Sequence, residues 1–220
     1  MNTTKSMISV CATAFAATVM AASASLGATV ELVTNGGFEN GNTGFGTDFA
    51  NAGGGIPGLA TVSVRSSNYF GITAASGSSF LAVNGGNTPG ANPSVWNQDI
   101  AVVAGVDYAF SFRLGGTSAA PTPVGELSVQ FDGSEILTAA APAGPSYLSF
   151  GTSFTASTTG TFSLSFVETS LGFGGNDYAI DDISLTFEDD QVAPVPLPAG
   201  SLLLLSALGL GAVVRRRSAT

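Results

Sequence analysis

Four short runs alternate between apolar and polar residues, and that period of two excludes most folds for this chain. Phe110, Phe112 and Leu114 alternate with Ser111 and Arg113, and Leu127, Val129 and Phe131 with Ser128 and Gln130. Phe162, Leu164 and Phe166 alternate with Ser163 and Ser165, and Ile183, Leu185 and Phe187 with Ser184 and Thr186. Successive side chains of a β-strand point to opposite faces, so each run has one face for a core and one for water. Gly, Asn, Pro and Ser clusters separate the runs and mark turns. No segment between residues 29 and 190 carries a helical apolar stripe. The pattern predicts an all-β domain over 29–190: a two-sheet sandwich of jelly-roll type.

The two ends read differently. Lys5, an uncharged stretch from Met7 to Met20, and the small residues Ala22-Ser23-Ala24 and Ala28 form a secretory signal peptide over 1–28. At the other end, Val195-Pro196-Leu197-Pro198-Ala199 precedes an uncharged run to Val214 and then Arg215-Arg216-Arg217. Pro194, Pro196 and Pro198 lack amide hydrogens and favour an extended backbone. Ala199 to Val214 would reach about 24 Å as a helix at ~1.5 Å per residue, slightly short of the ~20 residues of a stable span. The arginines would stay on the cytoplasmic side. This order of pentapeptide, apolar run and basic stop resembles the VPLPA-type variant of the PEP-CTERM sorting signals. The resemblance covers about residues 192–220 and implies a transmembrane sorting helix removed by an exosortase-like membrane protease. It also implies export to the cell envelope, surface or extracellular matrix.

Charge narrows the partners. Outside the two ends only Arg65 and Arg113 are basic, against all 15 acidic residues, a formal charge of −13 over 29–190. Such a surface repels phosphate backbones, so nucleic acid is excluded as a partner. The only cysteine, Cys11, lies in the signal peptide and there is no histidine. The domain therefore has no disulfide, no Ser-His-Asp triad and no His-ligated zinc.

Two stretches sharpen the fold. The domain opens with Glu31 to Gly41, including Asn35-Gly36-Gly37-Phe38-Glu39, and closes with Asp177 to Phe187, including Asp181-Asp182. Between them lie Phe80 to Asn84, Val95 to Ile100 and Ala104 to Phe112. Together these resemble the galactose-binding-like jelly rolls that include many carbohydrate-binding modules. The resemblance implies that the first and last strands lie together and share a structural calcium ion. By position its ligands are Glu39 and Asp181, with Asp182 as the alternate. The residues add their own hint: Ile180 is out of phase with Ile183, Leu185 and Phe187, so the strand begins late or bulges at the aspartates.

Sugar binding needs exposed aromatic planes beside polar groups. The candidates are Tyr69, Phe70 and Trp96, with Tyr147 as a further ring and Asn68, Asn97 and Gln98 as polar neighbours. Trp96 and Ile100 share a strand face, so Trp96 serves equally as core or as ligand platform. Glu126, Glu135 and Glu168 read as solvated strand-edge charges. A glycosidase needs two carboxyls facing each other roughly 5–10 Å apart, which adjacent Asp181 and Asp182 on a regular strand do not provide. The expectation is a non-catalytic exported protein that binds carbohydrate or exopolysaccharide. The alternative is a structural or adhesive envelope protein without sugar binding.

Overall fold

All four alternating runs are strands in the computed structural model, which describes residues 27–86, 91–118, 125–170 and 176–189. The signal peptide, Val195–Ala199 and Arg215–Arg217 fall outside the described residues. The described unit, Gly27–Asp189, contains eleven strands and no helix. They are β1 (Ala28–Glu31), β2 (Ala50–Asn51), β3 (Thr61–Arg65), β4 (Phe80–Asn84), β5 (Ser94–Val102) and β6 (Asp107–Gly116). They continue as β7 (Glu126–Phe131), β8 (Ser134–Ala140), β9 (Tyr147–Thr155), β10 (Gly160–Glu168) and β11 (Asp177–Asp189).

Two sheets form the jelly-roll sandwich. One runs β2-β3-β4-β11-β6-β9, and the other β5-β10-β7-β8. The long β11 serves two partners on one side: its first half pairs with β4 and its end with β1, where Ala28 faces Asp189. The opening and closing segments therefore lie together.

Alternation is kept where pairing is regular. On β6, Tyr108, Phe110, Phe112 and Leu114 are buried while Ala109, Ser111 and Arg113 are exposed. The core joins these to Leu127, Val129, Leu164, Phe166, Ile180, Ile183 and Leu185. Phe166 meets Phe112 edge-on at 4.7 Å and Trp96 edge-on at 5.4 Å, geometries that aromatic pairs favour.

Alternation breaks at several places, including β4 and the start of β11, which are buried on both faces, and at three others the cause is visible. The β10–β5 register shifts at Val95, so both Val95 and Trp96 are buried. Ser128 is buried because its hydroxyl donates to Glu135 at 2.6 Å. On β11 the register slips by one residue between Asp181 and Ser184, and Asp182 takes φ 52°. This bulge is why Ile180 and Ile183, three residues apart, both reach the core. Gly36 passes so close that a Cβ there would sit 1.8 Å from the Ile183 carbonyl oxygen, while Ile183 N–H donates to the Gly36 carbonyl.

Candidate functional site

Residues 66–79, between β3 and β4, lie on the far side of β4 and β11 from the main core. Tyr69 and Ile72 pack there with Phe80, Ala82 and Ala179 as a second small core. Carboxylates hold this segment down. Asp181, fully buried, accepts the N–H groups of Ala75 (2.8 Å), Ser76 (3.3 Å) and its own neighbour Asp182 (2.8 Å). Asp182 accepts the Ser76 hydroxyl and pairs with Arg113 at 3.2 Å. Glu39 accepts Ser78 N–H, Ser78 hydroxyl and Ser79 N–H at 2.7–2.8 Å. The Tyr69 hydroxyl donates to Asp177, and Tyr147 to the Thr73 carbonyl.

These contacts set the protonation of the clasp. Burial pushes the Asp181 carboxyl up to about 6, against the N–H bonds that lower it. The Ser78 and Ser79 donors hold Glu39 below the usual carboxylate range. Burial raises the Tyr69 and Tyr147 hydroxyls.

The sequence-predicted metal residues thus meet one loop, whose N–H groups Glu39 and Asp181 already accept. Hard cations take oxygen ligands, whereas N–H groups already point at Glu39 and Asp181. Among the described residues there is no group of three or more Asp, Glu, His or Cys able to hold a metal ion.

The predicted sugar platforms divide. Trp96 is fully buried between the sheets, so its core role prevails and its assignment as a ligand platform is corrected. Tyr69 is 1 % exposed, because its hydroxyl finds Asp177 beneath the loop; it too is corrected as a ligand-facing ring. Phe70 is the one of the three that is exposed, at 40 %, and it leans on Tyr69 at 4.8 Å. Asn97 and Gln98 are occupied by Gly44, Ser94 and Thr34. Glu126 and Glu135 are exposed as expected, but Glu168 is fully buried, accepting Gly86 N–H and the Ser170 hydroxyl. Burial raises its carboxyl.

A second place was not anticipated. At one end of the sandwich, where edge strand β9 faces β7, β8 and β10, a cavity of about 230 Å³ opens between two turns. Its walls are the half-buried Phe131, Phe154, Phe162 and Ile136. Phe131 lies 4.8 Å from Phe154 and 5.6 Å from Phe162, both tilted, so ring edges and faces reach the opening. The rim is polar: Asp132, Ser134, Thr155, Ser157 and Thr158. Asp132-Gly133 forms a two-residue hairpin turn with φ 51° and 73°, the left-handed pair such a turn demands. The turn anchors through Asp132 N–H on the Ser163 carbonyl and leaves the exposed Asp132 carboxylate without a partner among the described residues. Two larger hollows carry less chemistry. One, of about 430 Å³, has no ring in its wall; the other, of about 390 Å³, holds the Arg113–Asp182 pair.

Sequence reasoning assigned Phe131 and Phe162 to the core face and passed over Phe154. The available signal was an Asp-Gly turn and a Ser-Thr-Thr turn bracketing phenylalanines on neighbouring strands.

No family model and no curated protein matches the chain. The fold is that of a jelly-roll module shared with many solved structures. Among them is a Stig cyclase from Fischerella sp. TAU, with a TM-score of 0.52 at 14% identity over 74% of this chain and 99% of that one. Also similar are the CBM22-1 xylan-binding domain from Paenibacillus barcinonensis (0.47, 13%, 76% and 99%) and a family 16 carbohydrate-binding module (0.45, 19%, 70% and 98%). At these identities the likeness is one of fold alone, and a fold does not fix a function.

Proposed function

We propose that the jelly roll is a non-catalytic binding module for carbohydrate, exported to the cell envelope or extracellular matrix. The observation that carries this is the phenylalanine groove with its hydroxyl-rich rim. Sugar rings present CH faces that pack on aromatic carbon and hydroxyls that need polar partners, and this groove supplies both. Most of the rim is Ser and Thr, whose hydroxyls both donate and accept. Among the described residues Asp132 is the only carboxylate lining it, whereas a glycosidase uses a facing pair. Co-sedimentation with insoluble polysaccharides and a glycan array test the reading. Retention that Phe154→Ala removes supports it; no retention on any glycan favours a structural or adhesive role.

Export follows from the ends of the chain. The PEP-CTERM resemblance of Val195–Ala199 and Arg215–Arg217 supports processing by an exosortase-like protease. Loss of the tail from the mature protein, measured by mass, checks it, and Val195–Ala199 replaced by serines should leave the tail attached.

A structural calcium ion on Glu39, Asp181 and Asp182 is a separate proposal with a stated cost. The N–H groups of Ala75, Ser76, Ser78 and Ser79 would have to turn away. It predicts that calcium raises the melting temperature and that Asp181→Ala abolishes the rise. Equal melting in calcium and chelator leaves the N–H clasp alone.

A further inference from the structure

We infer that the groove at Phe131, Phe154 and Phe162 selects sugars by charge, taking amino sugars first, neutral sugars second and rejecting uronic or sulfated ones. This rests on the carbohydrate reading above and names the class of sugar that the same site takes.

A negatively charged sugar needs a cationic partner. Carboxylate and sulfate groups are held by Arg or Lys. The described residues contain two cations, and neither is available. Arg65 is buried, donating to the Gly54 and Asn68 carbonyls and the Ser67 hydroxyl, with its guanidinium 5.7 Å from the Tyr69 ring centre. Arg113 is paired with Asp182. Neither arginine lines the groove.

The groove itself presents the opposite sign. Asp132 stands exposed on its rim, its carboxylate unpartnered among the described residues. Thr155, also on the rim, donates to Asp107 at 2.5 Å, which sets a second carboxylate beside the rim. A protonated amine on a pyranose ring whose CH face lies on the phenylalanines has one carboxylate in reach and Asp107 behind it. An anionic ring meets uncompensated repulsion in the same position. The volume, about 230 Å³, is below the roughly 300–1,000 Å³ of sites for drug-sized ligands. That limits the groove to a single ring, such as a chain end or side branch.

The test is calorimetric titration of the protein with glucosamine, glucose and galacturonic acid oligomers of equal length. It is run at about pH 6, where an amine is protonated, at low salt and at ~0.5 M salt. The expected order of affinity is glucosamine, glucose, galacturonate, with the first about fivefold tighter than the second at low salt and the gap closing in high salt. Asp132→Asn should erase the preference, bringing the ratio of glucosamine to glucose affinity to about one. Asn is at home at this left-handed turn position, so the variant keeps the fold. Galacturonate binding as tightly as glucosamine would overturn the selectivity while leaving the module a carbohydrate binder, as would an undiminished glucosamine preference in Asp132→Asn. Binding of none of the three would remove the carbohydrate reading, and the selectivity with it.

Discussion

The loop over 66–79 and the groove at the end of the sandwich use the same ingredients to opposite ends. Both combine aromatic rings with carboxylates. Under the loop every piece is spent: Tyr69 is bonded to Asp177, and Asp181 and Glu39 to backbone N–H groups. At the groove, three rings stay half-buried and the Asp132 carboxylate has no partner among the described residues. Satisfied polar groups under cover stabilise a fold, whereas unsatisfied groups beside open apolar surface are what a ligand can use. The contrast assigns stability to one region and recognition to the other.

Substitutions can break that division, beginning with the core behind both regions. Trp96→Ala should cost about 3–5 kcal/mol, the range for emptying a large aromatic site, read by urea denaturation. If it removes glycan binding without lowering stability, the core role of Trp96 is wrong.

Next comes the clasp. Asp181→Ala leaves three N–H groups without their acceptor, a loss of about 1–3 kcal/mol, and should expose Ala75 and Ser76 to hydrogen exchange. Asp181 also gives a pH signature. Its carboxyl is raised to about 6 in the fold, against about 3.9 in an unfolded chain. A raised acid contributes stability that is full below the unfolded value and lost as pH rises through the folded one. Stability should therefore fall by on the order of 2 kcal/mol between about pH 4 and pH 7, and Asp181→Asn should flatten that slope. Glu168, raised by burial, adds in the same direction. Glu39, lowered by its donors, works the other way, its contribution lost as pH falls. A profile that rises from pH 4 to 7 in the native chain and is unaltered by Asp181→Asn would contradict the buried clasp.

The smallest stability effects separate the two regions most cleanly. Phe154→Ala, at a half-buried wall, should cost about 1–2 kcal/mol and at least tenfold in glycan affinity. Phe70→Ala, on the sealed loop, should change affinity not at all and stability by no more than about 0.5 kcal/mol. The reverse result would move the binding surface to the loop.

Much of this fold was legible because alternation is a local signal. The four runs named strands directly, and the phase slip at Ile180 pointed to the bulge that re-aims Asp181 and Asp182. That Glu39 and the two aspartates lie near one another's elements was suggested only by resemblance; in the fold they hold neighbouring parts of one loop. What sequence left hidden depends on where a strand ends. Phe131 and Phe162 have the same alternation as Leu127 and Leu164, but they lie where the sheets part, so equal patterns give unequal burial. Tyr69 showed the converse: flanked by Ser, Asn and Gly, it looked like a loop residue, and the loop folds back to bury it. Glu168 escaped for the same reason, as nothing in its neighbours announces that Gly86 and Ser170 enclose it.

The division between clasp and groove meets its most direct test in an amide NMR titration of the folded unit Gly27–Asp189 with glucosamine oligomers. Shifts should concentrate at Phe131–Ile136 and Phe154–Phe162, with residues 66–79 unmoved. Shifts confined to 66–79, or to the outer face of either sheet, would contradict it.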